Sequence, residues 1–258
     1  MKEQNFNTGC EKSPLDIRTF AYRPTTGYVH KGGERYKPEE IKDQHRVGIC
    51  TGAAGAQHSS KSLKKDFNMD WEYLCQKVFY DKNWKEGSSA FSNMRVKKNI
   101  GMLPQEYWKH TTEADRKLPY YKYIKKLQAI PLAEIDRLKT ISARFKIEAY
   151  AKLADTKRNT LANAIMESDK NAGIIIRFVI GSEWWTSPIE PLSKPKNPTS
   201  GHLLIASNFT GDSFRCANEW GSNWADKGTA YWNNRNYRPT EAWMVWYKEV
   251  PEDIQKKL

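Results

Sequence analysis

Gln44 stands six residues ahead of Cys50, and His202 stands sixteen ahead of Asn218. A thiol hydrolase needs four parts: a nucleophile, a base that later serves as acid, a group that orients the base, and donors for an oxyanion. Cys50 follows Gly48-Ile49 and opens the small-residue run Gly52-Ala53-Ala54-Gly55-Ala56, a pattern that predicts the start of a helix. Unpaired N–H groups and the positive dipole end there favour a thiolate. His202 begins the apolar strand His202-Leu203-Leu204-Ile205-Ala206, where a first residue can face a cleft while later ones build core. Asn218 follows Phe214 and Cys216 on one face of an alternating strand, so its amide points inward and needs a partner. His202 is the expected partner. Singly, each residue has a blander reading. A free cysteine is usually a small buried hydrophobe, a strand-end histidine is usually structural, and Asn-Glu-Trp-Gly is a respectable turn. His58 lies on the same predicted helix as Cys50 but too far along its axis to reach the sulfur. His30, His45 and His110 lack comparable surroundings.

The segments Asp43-Gln44-His45-Arg46-Val47-Gly48-Ile49-Cys50, Gly201-His202-Leu203-Leu204 and Cys216-Ala217-Asn218-Glu219-Trp220-Gly221 resemble the papain-like cysteine peptidases in order, spacing and flanking residues. Trp224 and Gly228 also fall on that pattern. The resemblance spans about residues 15 to 250, though only these blocks are specific. It implies Cys50 as nucleophile, His202 as base and acid, Asn218 as the carbonyl that orients the imidazole, and Gln44 in the oxyanion hole with the Cys50 N–H. It further implies that Gly87-Ser88-Ser89 binds extended substrate by strand addition, with Gly201 and Trp220 also contacting substrate and Trp220 shielding the His202–Asn218 bond. The implied activity is a cysteine endopeptidase with a polypeptide substrate and no cofactor or metal. A weak or inactive papain-like binding protein, a thiol acyltransferase and a cell-wall peptide hydrolase are the alternatives. Four departures bear on efficiency and cleft shape: Thr51 where the family has Trp, His45 for Gly, Glu219 for Ser, and Ala225 for Gly.

Stepping along the chain, helical spacing covers Cys50 to about Lys65, Asp70–Tyr80, Phe91–Lys98 and Thr156–Ser168. Strand patterns cover 143–150, 173–180, 202–209, 213–219, 229–232 and 242–250. A helical half followed by an antiparallel, barrel-like sheet is α+β architecture, and the family resemblance implies two lobes with the cleft between them. Residues 1–14 read as a polar tail and 15–258 as the peptidase domain, with a helical lobe over about 41–130 and a β lobe over about 131–250. Thr25–Glu40 reads as loop; Leu132–Ser142 and Ser187–Thr199 read as family-variable insertions. Leu15-Asp16-Ile17-Arg18 resembles the start of a mature papain-like domain. That predicts activity without removal of a prosegment.

With 258 residues, 39% of them hydrophobic and including 10 Trp and 13 Tyr, the chain can bury a core without disulfides or metal. A net charge of +12 admits acidic partners, nucleic acid or another polyanion, but the lysines are scattered among carboxylates and no nucleic-acid motif accompanies them. No apolar run is long enough to span a membrane, and the N-terminus lacks a signal-peptide core. Cys10, Cys50, Cys75 and Cys216 form no metal-ligand spacing. Val47 stands where secreted members of the family carry a bridging cysteine. The expectation is a reducing compartment such as the cytoplasm, with none of the four cysteines paired.

Overall fold

The computed structural model describes residues 9–14, 21–24, 31–168, 172–186 and 191–247. Short strands β1 (Cys10–Glu11), β2 (Ala21–Tyr22) and β3 (Lys31–Gly33) come first. The helical half holds α1 (Cys50–Leu63), α2 (Met69–Cys75), strand β4 (Ser88–Ser89), α3 (Ala90–Arg95), α4 (Glu113–Arg116), α5 (Tyr120–Gln128) and α6 (Leu132–Ser142). Then follow β5 (Ile147–Leu153), α7 (Arg158–Glu167), β6 (Ile174–Ile180), α8 (Glu183–Thr186), β7 (Ser200–Thr210), β8 (Ser213–Ala217), β9 (Thr229–Asn233) and β10 (Glu241–Tyr247).

Local chemistry fixes the helix starts. Asn68 caps α2 by accepting the Trp71 N–H at 2.6 Å, with Asp70 and Glu72 in the first turn. Ser89 caps α3 through the Ser92 N–H at 3.1 Å. Helix α1 differs: Ile49 precedes it and offers no side-chain cap. Its leading N–H groups are therefore left for something other than a capping residue.

Among the described residues the main sheet runs β2-β5-β10-β6-β7-β8-β9, with β3 also pairing β7. Its pairs are antiparallel except β2–β5. It is an open sheet with β2 and β9 at its ends, not the closed form that "barrel-like" suggests. Helix α1 lies between the halves, touching α2 and α3 on one side and β6 and β7 on the other. Its thin flank makes this approach: a Cβ at Gly52 would sit 2.5 Å from the Met69 carbonyl oxygen. One apolar cluster joins α1 to α2, α3, α5 and α6, and a second fills the space between β6–β9 and α7.

The far end of α1 is stitched to the sheet through polar groups. His58 Nε2 meets the Gly173 carbonyl at 3.0 Å, so that nitrogen carries the proton, and Nδ1 accepts from the Tyr247 hydroxyl at 2.6 Å. Burial, reinforced by the Lys97 charge, lowers the His58 pKa from 6.5 to about 3. The folded protein thus binds fewer protons than the unfolded chain between these values, and stability rises with pH across that window. It is fully present above about 6.5 and is lost as pH falls toward 3. We expect denaturant titrations to show a loss of stability between pH 6.5 and 4 that is shallower in His58→Gln; equal slopes would refute the assignment.

Several sequence expectations shift. Lys31–Gly33, expected as loop, is a strand because its main chain pairs with Asn208–Thr210, a tertiary contact that two glycines do not announce. Thr25–His30, Leu15–Arg18 and Ser187–Glu190 lie outside the described residues. The strand expected over 143–150 begins instead at Ile147, since Ala143–Phe145 closes α6. Ile135 and Leu138 of α6 join the helical cluster, so Leu132–Ser142 packs with the first half. Residues 9–14 are not a free tail: Cys10 is buried, and β1 pairs in parallel with β4, Cys10 opposite Ser88.

Candidate active site

Cys50 is the first residue of α1, where the uncapped N–H groups of the helix converge. His202 lies near the start of β7, set by its register against Phe178 of β6. The β7–β8 pairing places Ala217 opposite Ile205, which delivers Asn218 to the histidine. His202 Nε2 lies 2.7 Å from Asn218 Oδ1. The same oxygen accepts the Glu219 main-chain N–H at 2.8 Å, which identifies it as the carbonyl end of the amide. Nε2 must therefore donate. The neutral imidazole then keeps its lone pair on Nδ1, the nitrogen available to Cys50. Trp220 stacks on the imidazole, with centroids 4.5 Å apart and planes inclined by 21°. Trp185 and Trp224 meet Trp220 edge-on. The Trp184-Trp185 pair divides, since Trp184 is buried in the sheet cluster.

Gln44 is tied to the same loop. Its N–H donates to the Glu219 carbonyl at 2.8 Å, and Asp43 bridges to Trp220. The Gln44 Nε2 donates to the Val47 carbonyl at 3.1 Å, leaving one further hydrogen on that nitrogen. All four sequence-predicted groups are buried.

Three departures have physical explanations. His45 and Ala225 sit at φ of 53° and 46°, the left-handed region, so the backbone shape that glycine would supply is retained. Thr51 turns its hydroxyl onto Gln76 Oε1 at 2.7 Å inside the helical core. Glu219 is less ordinary. Its carboxylate is buried 3.8 Å from His202 Nε2, and neither oxygen meets a hydrogen-bond donor. Burial, then the nearby Cys50 charge, pushes its pKa well above the carboxylate range, favouring the neutral acid.

The N-terminal segment closes the site. Ser88 N–H donates to the Gly9 carbonyl at 2.7 Å, and Lys77 Nζ donates to the Gly87 carbonyl. The Cys10 carbonyl accepts from Arg177 Nε at 3.2 Å and Nη2 at 3.0 Å. A Cβ on Gly201 would collide with that carbonyl. Gly87, Ser88 and Gly201 thus form a trough, and this chain's own Gly9-Cys10 fills it. Ser13 N–H reaches Glu241 Oε1 at 2.8 Å, and its hydroxyl accepts the Phe91 N–H at 3.3 Å.

The Cys10 thiol donates to the Glu11 carbonyl at 3.5 Å, and Cys10 is buried in the same apolar cluster as Cys50. Burial would push the Cys50 thiol up, but the nearby Cys10 thiol, the His202 side chain and its charge, and the Leu203 main chain outweigh it and hold the group well below its usual range. Cys10 moves the other way: burial, then the nearby Cys50 side chain and its charge, raise it despite Arg177. Sequence reasoning did not anticipate Cys10, Arg177, Glu241 or the buried Glu219 carboxyl at this site. Cys10 offered only the signal of being one cysteine among four.

No protein-family model and no curated protein sequence matches the chain. Among solved structures, it superposes on xylellain, a cysteine protease from Xylella fastidiosa, with a TM-score of 0.75 and 18% identity over 96% of this chain and 99% of that one. It is also similar to procathepsin L 3 of the Tenebrio molitor larval midgut (TM-score 0.66, 13% identity, covering 95% and 77%). A procathepsin B S9 from Trypanosoma congolense gives 0.64 at 10% identity, covering 93% and 86%. The fold is that of the papain-like cysteine peptidases. In this papain-like frame the helical half carries Cys50, the sheet half carries His202 and Asn218, and residues 9–13 run between them. Among the described residues no helix is long and apolar enough to cross a membrane, and no His, Cys, Asp and Glu cluster could hold a metal ion.

Proposed function

We propose that this chain is a cysteine peptidase acting on polypeptides, and that residues 9–13 keep it latent. The observation that carries the catalytic reading is the Nε2 hydrogen bond from His202 to Asn218, which leaves Nδ1 for the Cys50 proton. Cys50 Sγ as thiolate attacks a peptide carbonyl carbon. The oxyanion takes the free Gln44 Nε2 hydrogen and the Cys50 N–H. His202, now imidazolium, gives its Nδ1 proton to the leaving amine as the C–N bond breaks, forming the acyl-enzyme. Water, deprotonated by His202, then releases the acid and restores Cys50. Asn218 and the Trp220 face hold the ring between these two proton transfers.

Latency follows from burial: Cys50 and His202 are both 0% exposed, and the Cys10 main chain is held against Gly201, next to His202. This reverses the sequence-based expectation of a chain active without N-terminal trimming. Deleting Met1–Pro14 should raise kcat/KM on a peptide library by at least about tenfold, or about 1.4 kcal/mol in the effective barrier. Equal activity of the full and shortened proteins, both folded, would show that the segment does not block the site. Labelling of Cys50 by a thiol-reactive epoxide should accelerate in parallel. A shortened, folded protein that neither cleaves peptides nor takes the label would sink the peptidase reading itself.

A further inference from the structure

We propose that Glu219 is a positioning residue for His202, a buried carboxylate that holds the imidazolium in its charged form and carries the proton transfer to the leaving amine further into the alkaline range. The proposal rests on the reading of His202 as the acid of a cysteine peptidase, but the charge on the ring can be measured without turnover. None of the steps from Cys50 to the released acid uses Glu219, and yet its side chain lies wholly buried beside the base. Oε2 is 3.8 Å from His202 Nε2, and among the described residues neither carboxyl oxygen meets a hydrogen-bond donor. A buried carboxyl without a donor costs stability unless it is neutral or faces a cation. Among the described residues, the one basic group within ion-pair distance of it is the His202 ring.

The main chain fixes this approach. Glu219 N–H donates to Asn218 Oδ1 at 2.8 Å, and its carbonyl accepts the Gln44 N–H at 2.8 Å, so the residue is clamped between two other members of the site. Asn218 already takes the Nε2 proton at 2.7 Å. Glu219 therefore acts on the ring by charge and not by a hydrogen bond. Trp220 covers the imidazole face and keeps water from it, which leaves a charge at this distance little screened. The other titratable groups whose charge reaches Glu219 are Cys50 at the start of α1 and Tyr36, whose hydroxyl donates to the Ala172 carbonyl at 3.0 Å. On the chain that pairs with Trp220 and Gly221, Lys42 is taken up by Asp66 and Asp43 by His45.

The direction of the effect follows from which proton leaves first. Burial and the Cys50 charge favour the protonated acid, so on the acid side of the profile Glu219 is neutral and leaves the Cys50–His202 pair alone. As pH rises, loss from the ring would give up a cation that has an acceptor at Nε2 and a thiolate partner in Cys50. Loss from the carboxyl keeps that cation and sets a carboxylate 3.8 Å from it. The two steps belong to the pair, and an opposite charge within about 4–6 Å favours the charged form by roughly 1–3 pH units. The imidazolium then survives to correspondingly higher pH. Glutamine at position 219 removes the charge while keeping nearly the same shape.

The test uses the full chain, labelled with carbon-13 in its histidine rings and titrated by NMR, with the His202 signal identified by its absence in His202→Gln. We expect the pH at which the ring loses its charge to fall by at least about one unit in Glu219→Gln, and by less in Glu219→Asp, where a carboxylate remains on a shorter stem. A Glu219→Gln midpoint equal to that of the wild type would overturn the proposal. Where Glu219→Gln does not fold, Glu219→Asp decides in the same way, since its carboxylate stands further from Nε2 and its midpoint must lie below the wild-type one. Peptide hydrolysis by the shortened protein is followed alongside. In Glu219→Gln the alkaline limb of kcat/KM should move down by the same shift while the acid limb stays in place. A profile lowered at every pH with both limbs unmoved is the mark of a merely structural role and would also overturn the proposal. Absence of hydrolysis by the shortened wild type at any pH would refute the peptidase reading, while the ring titration still decides the part played by Glu219.

Discussion

Replacing Cys50 by alanine abolishes peptide hydrolysis, with a loss of about 10⁴-fold or more, the scale seen when a nucleophile is removed from a catalytic unit whose members act together. Two contributions vanish at once: the attacking sulfur and the thiolate that pairs with the His202 imidazolium. Folding should survive. The substitution removes one sulfur from the start of α1, and the helix keeps its contacts with α2 through Gly52 and Gly55. Cys75→Ala is the matching control, because Cys75 is equally buried but lies in α2 among apolar neighbours. It should cost about 1 kcal/mol of stability, the scale of one buried carbon-sized group, and spare turnover. Activity of the shortened protein, together with its denaturation midpoint, reads both effects. If the two variants lose activity equally while folded, Cys50 is not the nucleophile.

The second large effect is expected at Gln44. Its alanine variant should lower the acylation rate by roughly 10² to 10³-fold, the range for loss of one oxyanion donor. Alkylation of Cys50 by a small neutral reagent should change far less, because no oxyanion forms in that reaction. The comparison matters because Gln44 also has a structural bond, Nε2 to the Val47 carbonyl, two residues from Ile49. Were that bond its whole contribution, the approach to Cys50 would be disturbed and both reactions would slow together. Stopped-flow acylation beside an alkylation time course distinguishes the two outcomes.

Much of the frame was legible because its signals are local. The small-residue run after Cys50 predicted α1 within two residues of its end at Leu63, and the apolar run after His202 predicted β7. The spacing of His202 and Asn218 anticipated a juxtaposition that the β7–β8 register then makes. The illegible parts depend on contacts between residues far apart in sequence. Strand β1 contributes two residues to a parallel pair, too few for any periodicity to register. Cys10 sits in a polar stretch, and nothing around it announces that Arg177 and Ser88 will hold it in place. Glu219 was visible as an odd letter beside Asn218, but its burial is a tertiary outcome, with Gln44 from ahead of α1 donating to its carbonyl.

His45 and Ala225 carry a consequence for stability. A side chain held in the left-handed region costs roughly 1–2 kcal/mol, while replacing glycine by a residue with a Cβ recovers about 0.4–1 kcal/mol by restricting the unfolded chain. At φ of 53° and 46° the first outweighs the second by up to about 1.6 kcal/mol per position. Glycine at either position should therefore stabilise the protein slightly, so these two turns are held by their surroundings and not by the residue that occupies them.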